Sequence, residues 1–197
     1  MFRRSIQIAC VAAFAVLTAA GAGFAQDIYR VSGGEVTVVC PLTVGGSFEA
    51  KTKTVSGEVA SAPNASGTVG GSIKVDLQTL ETGIGLRDRH MRENYLEVNK
   101  GPEFSVATIE GIKIDRKDGR TSFNGTLLLH GQRKEISGTA ELKDQNGHLR
   151  VQAQFPLSVS QFAIPKPTYL GVGVKDEIEV KVTMTAEPTP TQTSGRR

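Results

Sequence analysis

Apolar and polar residues alternate with period two along most of the chain. In HLRVQAQFPLSVS, Leu149, Val151, Ala153, Phe155, Leu157 and Val159 fall on odd positions, with Arg150, Gln152 and Gln154 between them. In DEIEVKVTMTA, Ile178, Val180, Val182 and Met184 alternate with Glu179, Lys181 and Thr183. TSFNGTLLLHG puts Phe123, Gly125, Leu127 and Leu129 on one face. Looser runs of the same kind lie around Val36–Val39, Phe48–Thr52, Ile73–Leu77, Phe104–Ile114 and Ile136–Leu142. A period of two places one side chain in a core and the next in water, so these runs predict half-buried strands. Turn signals separate them at Gly45-Gly46, Pro63-Asn64, Asp118-Gly119, Gly131-Gln132 and Asn146-Gly147, the last a strong hairpin signal. About eight strands joined mostly by short turns predict an antiparallel barrel or sandwich. Closure into a barrel is the simplest way to bury one apolar face and leave no edge.

Two stretches break the alternation. GLRDRHMRENYLEV (85–98) suits a short helix with Leu86, Met91, Leu96 and Val98 on a partly apolar side, ended by Pro102. SQFAIPKPTYLGVG (160–173) contains two prolines and predicts a loop before the last strand. At the amino end, Arg3-Arg4, an apolar run from Ile6 to about Ala20, and small residues ending at Ala25 have the plan of a secretory signal peptide cleaved after Ala25. The general export route fits this better than the twin-arginine route. The predicted organisation is a leader over 1–25, one barrel domain over 26–186, and a disordered tail over 187–197, where nothing apolar remains to bury.

Without its leader the chain keeps 21 basic residues against 20 acidic ones. No basic stripe survives, so nucleic acid is not an expected partner, and no stable membrane anchor is expected. Cys40 is the single cysteine of the predicted mature chain, so no internal disulfide can form. Beside Pro41 in an apolar strand it reads as a small buried hydrophobe; a homodimer bridged through it stays open. His90, His130 and His148 lack metal-ligand spacing, and neither a metal nor a cofactor is expected.

Candidate chemistry concentrates in TGIGLRDRHMREN (82–94), which carries Arg87, Asp88, Arg89, His90, Arg92 and Glu93. On a helix, Asp88–Arg92 and Arg89–Glu93 are i,i+4 pairs, and the cluster is then a solvated, self-paired rim. Alternatively Arg87, Asp88 and His90 turn toward an opening and meet a polar head group. Catalysis has weaker support, because no nucleophile with a positioned partner is recognisable. The inward faces predict a lining of Phe48, Ile73, Val75, Phe104, Val106, Phe123, Leu127, Val151, Phe155, Val180 and Val182. Eight strands are just wide enough to be filled by such side chains or to hold one slender ligand, and pattern alone leaves both readings open.

The chain also resembles a known family, the YceI-like domain, described as a periplasmic polyisoprenoid-binding protein. The pieces that carry the resemblance occur in order: VSGEV, then IKVDLQTLETGIGLRDRHMRENYLEVNKGPEFSV, FNGTLLLHGQRKEI, FPLSVSQFAIP and VKDEIEVKVTMTA. The chain departs from the family pattern at Cys40-Pro41 and at HGQRK (130–134). The resemblance implies an eight-stranded, lipocalin-like antiparallel barrel around an apolar tube, with a short helix near its mouth. It also implies an exported protein that binds a long-tailed isoprenoid, quinone-like or fatty-acyl amphiphile without turnover. The competing reading is a periplasmic interaction or assembly module for a membrane enzyme, with no bound lipid; the third is an enzyme acting on a head group.

Overall fold

The computed structural model describes residues 27–61, 66–169 and 171–189. The predicted leader, the Pro63-Asn64 turn and residues 190–197 of the predicted tail lie outside the described residues.

The strands are β1 (Asp27–Pro41), β2 (Ser47–Thr52), β3 (Val55–Ser61), β4 (Gly67–Asp76), β5 (Val106–Lys117), β6 (Arg120–Leu129), β7 (Gln132–Gln145) and β8 (His148–Ser158). The short β9 (Thr168–Tyr169) and β10 (Val172–Gly173) form a separate hairpin, and β11 (Glu177–Pro188) ends the described chain. Two short helices, α1 (Gly85–His90) and α2 (Pro102–Ser105), lie in the long β4–β5 connection. Neighbouring strands are antiparallel throughout, and β1 pairs with β11 from Tyr29↔Pro188 to Val39↔Glu179, which closes the sheet on itself. On its other side, β1 pairs with β3 along Asp27–Arg30 and with β2 along Val36–Pro41. Broken only at Lys53-Thr54, β2 and β3 are therefore two halves of one stave. The result is a closed eight-stranded antiparallel β-barrel.

Three staves turn on two-residue loops with both φ angles positive: Asp118-Gly119, His130-Gly131 and Asn146-Gly147. Such turns match the right-handed twist of the strands they join. The β6–β7 turn lies one residue earlier than Gly131-Gln132, because His130 occupies the left-handed position usually held by Asn or Gly. At the other end, β11 runs two residues further than expected. Glu187 pairs with Arg30, Pro188 pairs with Tyr29, and the Thr189 N–H donates to the Ile28 carbonyl.

One seam is incomplete. β7 and β8 pair only from Thr139↔Gln154 to Gln145↔His148. Toward the β6–β7 turn they part, and the single turn Val159–Phe162 packs against β7 instead. Phe162 is the one large side chain among the described residues that is essentially fully buried, at 1% exposure. Its carbonyl lies 3.0 Å from His130 Nδ1, so the Val159–Phe162 turn and the β6–β7 loop are tied together. Where the strands still touch, Gly138 is required, since a Cβ there would lie 2.2 Å from the Gln154 carbonyl oxygen. If Phe162 closes this seam, Phe162→Ala should lower the unfolding free energy by about 3–5 kcal/mol in urea titration. A loss below about 1 kcal/mol would mean that the seam is held by something else.

Candidate ligand cavity

The barrel encloses a cavity of about 1090 Å³. Its walls come from alternate residues of every stave. Closure aims one full set of side chains at the axis, and that set is short: Ala50, Ala107, Ala140 and Ala153 stand among valines, isoleucines and leucines. These side chains do not meet across the middle. Inward residues such as Ile73, Val151 and Val180 line this space and retain 8% exposure. The sheet is therefore a shell around a space, not a packed core.

Eleven of the fourteen residues named from sequence line this space. Phe48 enters from β2, Ile73 and Val75 from β4, Phe123 and Leu127 from β6, Val151 and Phe155 from β8, and Val180 and Val182 from β11. Arg87 and His90 reach it from α1. Phe104, Val106 and Asp88 are outside the lining, which corrects the expectation for each.

The first two are displaced by the path of β5. Phe104 belongs to α2, where Pro102 starts a helical turn that delays the strand until Val106. Its ring packs edge-on to His130, with centroids 4.9 Å apart. The inward residues of β5 are then Ala107 and Ile109, and beyond a bulge they become Ile112 and Ile114. Gly111 sits in that bulge at φ 61°, and the extra residue moves the inward face from odd to even positions. An isolated glycine within a strand pattern is the sequence sign of such a bulge, and ATIEGIKID contains one.

Asp88 has a different task. Its Oδ1 accepts both the Thr82 N–H and the Thr82 hydroxyl at 2.6 Å, and the residue is buried. The i,i+4 pairs expected on this helix do not form. Arg92 donates to the Leu80 carbonyl at 2.9 Å, and from Met91 to Tyr95 the helix widens into a π-turn. Burial acts against charging Asp88, but the two Thr82 donors, with Arg92 and Arg87 nearby, outweigh it and hold the carboxyl below its ordinary value. Asp88 thus ties down the loop before α1, which sets where Arg87 and His90 point.

Polar groups enter the lining only at one end. Arg87, His90 and Asn94 project from α1 and the π-turn, and Thr168 from β9. The Arg87 guanidinium lies 4.6 Å from the centroid of the Phe48 ring, a cation–π contact that spans the entrance. The opposite lip is the β9–β10 hairpin with Pro167 and Val174, a contribution that two prolines in a predicted loop gave no means of locating. Thr43 N donates to the Gly173 carbonyl at 2.9 Å, and Gly173 N donates to Thr43 Oγ1 at 3.0 Å. Just inside, Cys40 lines the wall half-buried; burial pushes its thiol up to about 11, with Arg87 pulling the other way. It lines the inner face as an apolar wall residue. Among the described residues, no group of three His, Cys, Asp or Glu side chains could hold a metal ion, and no helix is long and apolar enough to cross a membrane.

A closed antiparallel barrel with an apolar interior and a polar mouth defines a lipocalin-like architecture. The model of the YceI-like domain matches residues 29–186, and the chain belongs to that family. Two curated relatives are similar over a shorter region. A UPF0312 protein of Vibrio vulnificus strain YJ016 is 33% identical over 72 residues, and one of Vibrio cholerae O1 strain M66-2 is 32% identical over 71 residues. The match covers 35–36% of this chain and 36% of each relative, about a third of their length. Among solved structures, Burkholderia cenocepacia BcnA superposes with a TM-score of 0.66 at 15% identity, covering 77% of this chain and 95% of BcnA. A polyisoprenoid-binding domain from Saccharophagus degradans gives 0.60 at 15% identity, covering 82% and 98%. The Campylobacter jejuni YceI protein gives 0.57 at 18% identity, covering 73% and 86%. At these identities the likeness is one of fold.

The Asp88 contact gives a pH-dependent test. A carboxyl whose folded-state value is lowered stabilises the fold fully above its unfolded value, and that stability is lost as pH falls through the lowered one. Asp88→Asn should therefore cost about 1–3 kcal/mol at pH 7, with the gap to the parent protein narrowing as pH falls below about 4. Chemical denaturation across that range checks this, and a gap constant with pH would show that the Asp88 charge contributes nothing.

Proposed function

We propose that the protein is an exported carrier or scavenger of one long-tailed amphiphile, such as a prenyl or fatty-acyl lipid, and performs no turnover. The observation that carries this is the distribution of chemistry along the cavity: apolar at depth, with donors only at the mouth. About 1090 Å³ equals the volume of roughly 35 water molecules at about 30 Å³ each. A methylene is of similar size, so the space suits a tail of a few tens of carbons. Each buried methylene is worth about 0.8 kcal/mol, so ten supply about 8 kcal/mol before ordering costs are subtracted. No polar contact is needed for retention. Arg87, His90, Asn94 and Thr168 then bear on the head group, and the guanidinium and imidazole favour one that accepts hydrogen bonds or carries negative charge. The relative from Saccharophagus degradans, described as a polyisoprenoid-binding domain, supports this ligand class. Export into the periplasm rests on the leader-like first 25 residues.

The lining residues Phe48, Ile73, Val75, Phe123, Leu127, Val151, Phe155, Val180 and Val182 are assigned here to the tail. Organic extraction of the purified protein and mass spectrometry should release a hydrophobic molecule near one per chain. Ala153→Phe adds a ring to the wall where Ala153 faces Ala140 across the β7–β8 pair; it should leave the fold intact and select for shorter tails. Leu127→Arg puts a charge in mid-wall and should abolish retention at some loss of stability. A folded Ala153→Phe protein that retains the same molecule at the same stoichiometry would place the tail elsewhere, and a parent protein that releases nothing would favour an interaction module.

A further inference from the structure

Four large apolar side chains are strongly exposed among the described residues: Ile28, Val44, Ile84 and Leu86. Ile28 lies at the start of β1, at the end of the barrel away from the mouth. The other three stand together at the mouth. Val44 is 69% exposed at the tip of the β1–β2 turn. Ile84 and Leu86, 52% and 58% exposed, begin α1. Two contacts show that these pieces share one rim: Phe48, at the start of β2 just after the β1–β2 turn, stacks under Arg87 of α1, and Thr43 of that turn bonds to Gly173 of the β9–β10 hairpin. Leu86 belongs to both surfaces, exposed on the rim and lining the cavity. Through Leu86, beside the polar groups of the mouth, the apolar interior reaches the outside.

Ile84 is the sharpest of the three. It holds the N-cap position of α1 in extended conformation (φ −122°, ψ 104°) and makes no side-chain cap hydrogen bond. Ser, Thr, Asp or Asn would stabilise the helix there, and isoleucine is among the poorest choices. Alone it would be ordinary, but several exposed apolar residues grouped on one rim with polar neighbours are the sign of an interaction surface.

The rim also carries a charge excess. Its three segments (42–48, 84–96 and 164–176) contain Arg87, Arg89, Arg92, Lys166 and Lys175 against Asp88, Glu93 and Asp176. Asp88 is buried under Thr82, and Asp176 is engaged by Ser158 and Ser160. Lys166 lies 3.9 Å from Asp176, which leaves Arg89 and Lys175 as the exposed cations of these segments outside that pair, with Glu93 the exposed acid opposing them.

From the exposed apolar rim, its continuity with the cavity and its excess of cations, we infer that the mouth docks onto the surface of an anionic lipid bilayer. Val44, Ile84 and Leu86 enter the interfacial region while the cations meet lipid phosphates. A tail can then pass between bilayer and cavity without crossing water. This extends the carrier reading, yet the two are separable, because vesicle binding can fail while ligand extraction succeeds.

The test is co-sedimentation of the chain from residue 26 onward, which holds every strand of the barrel and lacks the apolar leader. Vesicles of phosphatidylcholine alone are compared with vesicles containing about a quarter phosphatidylglycerol. The protein should pellet with the anionic vesicles, several-fold less with the neutral ones, and less at high salt. The double variant Val44→Ser with Ile84→Ser should lose at least about tenfold in vesicle affinity, with an unchanged or raised melting temperature and full retention of the extracted ligand. Arg89→Gln should weaken binding to anionic vesicles only. Absence of pelleting with either vesicle, or equal pelleting of parent and double variant, would overturn the inference. Concentration-dependent dimerisation that the double variant abolishes, without vesicle binding, would equally overturn it by giving the rim to a second copy of the chain.

Discussion

The hydrogen-bonded seam between β1 and β11 is the constraint on which the rest depends. An open sheet of these strands would need a second layer to cover its apolar face. Once Tyr29–Val39 pairs with Glu179–Pro188, every apolar side chain on the inner face is out of water with no partner layer. Eight staves set the perimeter, and the residues inside are mostly Ala, Val, Leu and Ile. Eight staves can be filled by their own side chains or hold a slender ligand, and with this lining they leave a cavity of about 1090 Å³. The barrel is stabilised by burial against its neighbours around the wall rather than across the axis.

The mouth is built by a different logic. The β4–β5 and β8–β11 connections there are long, and the mouth is fixed by a few directional bonds. Asp88 bonds to Thr82 and Arg92 to Leu80 before and within the helical segment; Thr43 bonds to Gly173 across the lip; the His130 ring approaches the Phe162 carbonyl at the incomplete β7–β8 seam. These bonds leave Arg87 and His90 facing inward, Ile84 facing out, and Leu86 on both the cavity and the outer surface. One short helical segment therefore presents donors to the cavity and apolar surface to the exterior.

Much of the wall was legible in the alternation of residues. β6, β8 and β11 keep a strict period of two, and Phe123, Leu127, Val151, Phe155, Val180 and Val182 face inward as that period dictates. The reading fails where the period slips. Gly111 shifts the inward face of β5 by one residue, so Phe104 and Val106 give way to Ala107, Ile109, Ile112 and Ile114. Ala153 falls on the apolar face of its alternating run, whereas Ala50, Ala107 and Ala140 were overlooked because small side chains leave little trace in a hydrophobic pattern, although they help to leave the interior wide. Asp88 was misplaced because its partner Thr82 lies six residues before it, outside the i,i+4 spacing by which helical pairs are recognised. The β9–β10 lip depends on bonds to Thr43, far away in sequence, which no local signal encodes.

The central claim is that the axis of the barrel holds a ligand's tail. Methyl-labelled protein mixed with a twenty-carbon prenyl phosphate tests this by nuclear Overhauser contacts between tail protons and wall methyls. The account requires contacts deep in the wall, at Leu127, Ala140, Ala153 and Val151, together with mouth contacts at Leu86. Contacts confined to the mouth, or none at all, would contradict it.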